Sequence, residues 1–228
     1  MICESLGFGM VWADALTADH KIMNDDDLSR RNDRYALIIQ DKATYWIQGY
    51  PCTGKTSEET KSCFRRFLGP QTEPKRVYTD NSKEFIRAMS DLNFTHDTCT
   101  PHRPATNGIA EAAVKRVKEG TSCTLVQSGF SDEWWDAAMT TYCFLRNVVD
   151  QLDSGQTPWK NRFGEDFTGP IIPMGAELTY KPITDKDKSR LHSLGSQVLR
   201  GVFVSYVQHA GGGWTGDVEV IDLSLIHI

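Results

Sequence analysis

The sequence predicts an α/β protein built on a mixed sheet, followed by a small β-rich segment. Three observations lead to this prediction. Short β-branched and aromatic stretches open the chain, helical and strand patterns then alternate, and glycine and proline break up any helical pattern after Asp150. An antiparallel opening followed by alternating strands and helices is typical of a mixed α/β sheet.

Composition and length fit one large globular domain with a small appendage. The chain has 228 residues, of which 39% are hydrophobic and 24% charged, well away from the composition of disordered chains. Its 25 basic and 30 acidic residues give a net charge of −5. This balance argues against a simple nucleic-acid binder with a basic domain, so contacts with phosphates must come from local basic patches or metal ions.

The sequence shows neither a membrane span nor a secretory signal. The longest apolar run in the first half, Ala36 to Ile39, is far shorter than the roughly 20 residues that a membrane helix needs. The six cysteines and six histidines are dispersed, without the close pairs that bind zinc. We therefore expect an intracellular protein with reduced thiols, no His/Cys metal module and no contact with a membrane.

The first strands are predicted to form an antiparallel meander. Three stretches carry this pattern: Phe8 to Leu16, Tyr35 to Gln40 and Thr44 to Tyr50. The polar turn Asp41 to Ala43 separates the last two, and turn boundaries of this kind favour strands.

A helix follows from Thr56. Ser57 is the predicted N-cap, Glu58 and Glu59 occupy the first turn, and Gly69-Pro70 ends the helix. The next predicted elements are a strand from Arg76 to Asp80, a helix from Ser82 to Leu92 and a strand from Phe94 to Thr98.

A long amphipathic helix is predicted from Asn107 to about Val126. Its apolar face includes Ala110, Ala113 and Val117, while Glu111, Lys115 and Lys118 recur at i, i+4 and i+7 on another face. The remaining predicted elements are a helix from Asp132 to about Val148 and strands from Val198 to Val207 and Val218 to Leu223.

Three carboxylates stand at element ends where they could meet. Asp14 lies near the end of the first predicted strand, Asp80 ends the fourth, and Glu111 lies in the first turns of the long helix. Mg²⁺ prefers oxygen ligands, and two such ions roughly 3.5–4 Å apart stabilise both oxygens of a phosphodiester displacement. Asp41, at the end of the second predicted strand, is the alternative to Asp14.

Two sequence motifs surround Asp80 and Glu111. Residues 78–85 read Y-T-D-N-S-K-E-F, and residues 100–111 read T-P-H-R-P-A-T-N-G-I-A-E. These motifs resemble the T-D-N-G-x-E-F and T-P-x-x-P-x-x-N-G-x-A-E of retroviral-type integrase catalytic cores, most closely those of copia-like retrotransposons. Ser82 stands where that family usually has glycine, and 30 residues separate Asp80 from Glu111, somewhat fewer than usual.

The resemblance covers nearly the whole chain, because later segments match as well. These are Trp134 to Ala138, Leu145 to Asn147, Thr157 to Trp159 and Gly201 to Tyr206.

The resemblance implies an RNase H-like catalytic core at residues 1–150 and a β-rich post-core segment at 151–222. It assigns Asp14, Asp80 and Glu111 as a D,D,E triad that binds two Mg²⁺ or Mn²⁺ ions. The implied activity is a metal-dependent polynucleotidyl transfer that processes the 3′ ends of element DNA and joins them to target DNA.

The resemblance also implies partners and a location. DNA contacts are expected from His102, Arg103, Asn107, Lys115 and Lys118, and the protein is expected to form a homo-oligomer. For Lys115 and Lys118, which share a helix face with Glu111, the alternative is an ion pair with Glu111 on a solvated face. The nucleus is the expected location, with cytoplasmic virus-like particles as another.

Two other functions remain open at this stage. One is a decayed or domesticated copy that binds DNA or protein without catalysis, and the other is a DDE transposase. Residues 223–228 resemble the translation of a sequencing-library adapter, and we expect them to lie outside the natural fold.

Overall fold

The computed structural model describes residues 12–98 and 108–223. The strands of this part are β1 (Leu16–Ile22), β2 (Tyr35–Asp41), β3 (Ile47–Cys52), β4 (Val77–Thr79), β5 (His96–Thr98), β6 (Glu177–Tyr180), β7 (Leu199–Tyr206) and β8 (Val218–Asp222). Its α-helices are α1 (Ser57–Leu68), α2 (Lys83–Leu92), α3 (Gly108–Ser128), α4 (Trp135–Val149), α5 (Pro158–Phe163) and α6 (Asp185–Lys188).

Five strands form one mixed sheet in the order β3-β2-β1-β4-β5. β1, β2 and β3 pair antiparallel, whereas β4 and β5 run parallel to β1. The chain reaches β4 and β5 through α1 and α2, the crossover helices that parallel strands need. The α/β class and the mixed sheet predicted from the sequence are confirmed.

Helices cover both faces of this sheet, as the alternation along β2 shows. Leu37 and Ile39 belong to the core formed with α1 and α2, whereas Ala36 and Ile38 belong to the core formed with α3 and α4. Successive side chains of a strand point to opposite faces, so β2 is buried on both sides.

The first strand lies later in the chain than the sequence predicts. The apolar stretch predicts a strand from Phe8 to Leu16, but residues 12–15 form turns and β1 begins at Leu16. Residues 1–11 lie outside the described part. β1 lacks a strong apolar signal because Asp19, His20 and Lys21 are polar. These residues are only partly buried, so the fold does not require apolar side chains there. This shift changes which acidic residue stands on the first strand.

A capping box fixes the start of α1 and the loop before it. Thr56, not the predicted Ser57, is the N-cap: its Oγ1 accepts a hydrogen bond from the backbone N–H of Glu59 at 3.2 Å. The Glu59 carboxylate in turn accepts from the backbone N–H groups of Thr56 at 3.3 Å and Gly54 at 2.8 Å. Such reciprocal bonds order the helix entry.

The segment after residue 150 contains the predicted β-rich unit. β6, β7 and β8 form an antiparallel three-stranded sheet in that order. The predicted strands at Val198 to Val207 and Val218 to Leu223 correspond to β7 and β8. The predicted boundary at residue 150 falls between α4 and α5.

This small sheet packs against α4. The hydroxyl of Thr141 donates to the backbone carbonyl of Val204 at 2.9 Å, and the Phe144 ring stacks on Tyr206 with centroids 4.1 Å apart. Phe144 and Tyr206 also belong to the main core. The two sheets therefore share one continuous hydrophobic interior.

Three of the four cysteines in the described residues are buried, and all four are free thiols. Cys52, Cys63 and Cys143 are buried free thiols and Cys123 is an exposed one, while Cys3 and Cys99 lie outside this part. No helix in residues 12–98 and 108–223 is both long and apolar enough to cross a membrane.

Candidate active site

Neighbouring parallel strands bring two acidic residues side by side. β1 and β4 pair with Leu16 opposite Val77 and Thr17 opposite Tyr78. Two residues further along both strands, this register sets Asp19 beside Asp80. Asp19 belongs to β1, and Asp80 follows the last residue of β4.

Glu111 is a third acidic residue whose charge acts on Asp19. Asp19 pairs with Ile38, which contributes to the core under α3, and Glu111 lies in the first turn of α3. Burial raises the pKa of Asp19, and the negative charges of Asp80 and Glu111 raise it further. We call Asp19, Asp80 and Glu111 the acidic cluster, because the charges of Asp80 and Glu111 both act on the carboxyl group of Asp19.

The turn after Asp80 accommodates Ser82 without strain. The backbone N–H of Ser82 donates to Oδ1 of Asp80 at 3.1 Å. Ser82 has φ −74° and ψ 147°, an extended conformation open to any residue. The serine found where the resemblance expects glycine therefore leaves the backbone of this turn unstrained.

Asp14 lies at the other end of these strands from Asp19 and Asp80. The backbone N–H of Lys75 donates to the carbonyl of Ala13 at 3.0 Å, and the Lys75 ammonium pairs with Asp14 at 2.5 Å. Lys75 precedes Asp80 by five residues, or roughly 16 Å of extended chain. The register of β1 and β4 therefore sets Asp14 beside Lys75, at the opposite end of the strand pair from Asp80.

Asp41, the alternative to Asp14, stabilises the turn between β2 and β3. It pairs with Leu16, three residues before Asp19, and its side chain is fully buried. Its carboxylate accepts hydrogen bonds from the backbone N–H and hydroxyl of Thr44 at 2.8 and 2.7 Å, and from the N–H of Ala13 at 3.1 Å. These bonds fix the connection between β2 and β3.

A lysine borders the acidic cluster. The Lys55 ammonium pairs with Oε1 of Glu84 at 2.6 Å. This bond raises the pKa of Lys55, and the charges of Asp80 and Asp19 contribute to the same shift. The sequence motifs did not point to Lys55, because it lies on the loop before α1, far from Asp80 along the chain.

His20, next to Asp19, packs into the opposite face of the sheet. Its ring lies 4.6 Å from the Phe85 ring, centroid to centroid. Burial lowers the pKa of His20 to about 4. A neutral imidazole beneath the strand therefore adds no positive charge to the acidic cluster at neutral pH.

The predicted DNA-binding residues fall into two groups. Lys115 and Lys118 are exposed on α3: Lys115 lies 3.9 Å from a carboxylate oxygen of Glu119, and Lys118 lines an open cleft of about 570 Å³ together with Lys21. The other predicted residues, His102, Arg103 and Asn107, lie outside the described part of the chain.

The acidic cluster consists of carboxylates, which are suitable ligands for a divalent cation. Among the described residues, no three histidine, cysteine or acidic side chains converge closely enough to form a ready-made metal site. The cluster nevertheless offers three carboxylates, the hard oxygen ligands that Mg²⁺ and Mn²⁺ prefer. A bound divalent cation would also relieve the repulsion that raises the pKa of Asp19.

Comparison with known proteins finds similarity in fold and not in overall sequence. No family model and no curated protein matches the chain. The catalytic core domain of HTLV-2 integrase in complex with magnesium, in its trimeric form, aligns with a TM-score of 0.52 and 18% identity, over 68% of this chain and 99% of that one. The BIV integrase catalytic core aligns with a TM-score of 0.50 and 15% identity, over 67% and 95%.

The dimeric form of the HTLV-2 core, also with magnesium, gives a TM-score of 0.50 and 18% identity over 66% of this chain and 97% of that one. The described chain shares with these cores a mixed five-stranded sheet flanked by helices. This chain has the RNase H-like fold of integrase catalytic cores. The RNase H-like architecture expected from the motifs is therefore confirmed.

Within the RNase H-like sheet, Asp19 is the residue that sequence reasoning missed. The available signal was the alternation of Leu16 and Ala18 with Thr17 and Asp19, just ahead of the meander. That period of two marks a half-buried strand even without a long apolar run.

Proposed function

We propose that this chain is the catalytic core of a metal-dependent polynucleotidyl transferase of the integrase type. Asp19, Asp80 and Glu111 are the proposed metal-binding acids, with Asp19 in place of Asp14. The observation that carries the proposal is the register of β1 and β4, which sets Asp19 beside Asp80 while the charge of Glu111 acts on the same carboxyl group. The likeness to integrase cores supports the class of reaction.

The chain's own residues would hold the reacting groups in place. Asp19 lies within a strand and Asp80 directly after one, so the sheet fixes both positions, while α3 positions Glu111. Bound to these acids, Mg²⁺ or Mn²⁺ would stabilise charge on the attacking and leaving oxygens of the phosphodiester. Neither end processing nor strand joining then needs a covalent enzyme intermediate.

The finer parts of the proposal rest on the motifs around Asp80 and Glu111. We propose that the substrates are element DNA ends and target DNA, that the relatives are copia-like integrases, and that the protein acts as a homo-oligomer. Lys115 and Lys118 are proposed to contact DNA phosphates, because both are exposed on the helix that carries Glu111.

An activity assay with matched acid variants tests this proposal. With Mg²⁺ or Mn²⁺ and duplex oligonucleotides, the wild-type chain should nick or join DNA. Asp19→Asn, Asp80→Asn and Glu111→Gln should each lower the rate at least about 100-fold, because each removes a ligand charge. Asp14→Asn is the matched control and should keep the rate, since Asp14 pairs with Lys75 at the far end of the strands.

Two results would contradict the proposal. Loss of activity in Asp14→Asn with activity retained in Asp19→Asn would favour Asp14, and not Asp19, as the acid that acts with Asp80 and Glu111. DNA binding by the wild-type chain without any metal-dependent nicking or joining would favour the non-catalytic interaction module.

A further inference from the structure

Lys55 occupies an ordered position on the loop between β3 and α1. The Glu59 carboxylate accepts hydrogen bonds from the backbone N–H groups on both sides of Lys55, those of Gly54 at 2.8 Å and Thr56 at 3.3 Å. The capping box of α1 thus fixes the backbone from which the lysine extends. A charged side chain on a fixed backbone loses less entropy when it binds a ligand.

The ammonium of Lys55 is ion-paired close to the acidic cluster. It pairs with Glu84 at 2.6 Å, and Glu84 lies in the first turn of α2, four residues after Asp80. The positive charge of Lys55 also acts on Asp19. The Lys55 side chain is 29% exposed, whereas the Glu84 side chain is 17% exposed. The lysine can therefore be reached from solvent without unfolding the loop.

We propose that Lys55 binds a phosphate of the DNA strand next to the reacting phosphodiester and exchanges its bond with Glu84 for that phosphate. This inference rests on the proposed function, which places the reacting DNA at the acidic cluster. An ammonium group is a compact point charge with three donors, well suited to a phosphate oxygen. Before DNA binds, Glu84 keeps the ammonium in position and competes with the phosphate for it.

This exchange predicts opposite effects for the two partners of one ion pair. Lys55→Ala loses a phosphate contact, so DNA binding should weaken roughly 3- to 10-fold at low salt and the salt slope should fall by about one unit. Glu84→Gln removes the competing carboxylate, so DNA binding should strengthen roughly 2- to 5-fold. An ion pair with a purely structural role would leave DNA affinity unchanged in both variants that remain folded.

Binding isotherms on duplex DNA at several salt concentrations decide between these possibilities. All variants are compared in the Asp80→Asn background, which prevents turnover, and urea unfolding confirms that each is folded. Lys61→Ala is the matched control, because Lys61 is also ion-paired, to Glu58 at 2.6 Å and Asp91 at 2.9 Å, on α1. Lys55→Arg keeps the charge and should retain most of the binding.

The outcomes for Lys55 and for catalysis are separable. Opposite shifts in Lys55→Ala and Glu84→Gln support the inference, even if no protein nicks DNA. Equal binding by Lys55→Ala and Lys61→Ala, or weaker binding by Glu84→Gln, overturns the inference, even if Asp80→Asn abolishes metal-dependent nicking. A wild-type chain that binds no DNA at low salt overturns it as well.

Discussion

At the scale of single residues, Asn147 shows how one side chain joins two elements. It is fully buried in α4; its Oδ1 accepts from the backbone N–H of Ile47 at 3.0 Å, and its Nδ2 donates to the Ile47 carbonyl at 2.7 Å. The amide therefore satisfies both backbone groups of a residue on β3, the edge strand of the five-stranded sheet. An asparagine is suited here because it carries one donor and one acceptor side by side.

We expect Asn147→Leu to lower the free energy of unfolding by about 2–4 kcal/mol. The leucine leaves the N–H and C=O of Ile47 buried without partners, and each such group costs roughly 1–3 kcal/mol. Urea unfolding measures the change. Asn24→Ala is the control, since the bond of Asn24 to Asp27 is exposed, and it should change stability by less than about 0.5 kcal/mol. A loss below about 1 kcal/mol in Asn147→Leu would contradict this role.

Single residues of the candidate site were only partly predictable. The motifs singled out Asp80 and Glu111, and the structure places the charges of both close enough to act on Asp19. The position of Asp19 beside Asp80 follows only from the register between β1 and β4. Local sequence does not determine which residues of two strands pair. Lys55 was missed for the same reason: its proximity to Asp80 depends on how α1 and α2 pack.

At the scale of elements, long periodic segments were predicted best. The helix predicted from Asn107 to Val126 is found at Gly108–Ser128, and its apolar residues Ala113 and Val117 are buried as the 3.6-residue period requires.

Short elements carried too little signal. β6 has four residues, none of them buried, and α6 also has four. The predicted position of β1 is too early in the chain, because the preceding stretch is more apolar and only the first three residues of β1 are buried. Tertiary pairing, and not local propensity, selects these segments.

The exposed face of α3 provides a prediction at this scale. The double variant Lys115→Ala/Lys118→Ala should weaken DNA binding at low salt and flatten the salt slope by up to about two units, roughly one per lost phosphate contact. Folding should persist, because both side chains are exposed.

Isotherms at several salt concentrations measure this change, with Lys186→Ala/Lys188→Ala on α6 as the control of equal charge. An unchanged slope in the α3 variant would mean that these lysines only pair with neighbours such as Glu119.

At the scale of the whole molecule, several residues after 150 are part of the main hydrophobic core. Phe144 of α4 contacts four aromatic rings from the later part of the chain: Trp159, Phe167, Tyr206 and Trp214. A further link joins the two parts, because the backbone N–H of Gly211 donates to the Arg66 carbonyl at 2.7 Å. The hydrophobic interior therefore continues across residue 150.

A chain shortened to residues 1–150 should be much less stable than residues 1–222. It uncovers Phe144 and the rest of the face that β7 covers, and each large apolar side chain contributes about 1.5–3 kcal/mol when buried. We expect a loss of at least about 3 kcal/mol in urea unfolding, together with binding of a hydrophobic dye. A shortened chain with wild-type stability would instead show that residues 1–150 form an independent domain.

The stacking of Phe144 on Tyr206 also has a consequence during protein synthesis. Tyr206 leaves the ribosome 62 residues (206 − 144) after Phe144. At about 5–20 residues per second, Tyr206 is made roughly 3–12 s after Phe144. During this time the ring of Phe144 lacks its stacking partner. Hydrophobic surface that is exposed during synthesis is prone to aggregation. The contact between the two sheets therefore forms only after most of the chain has been made.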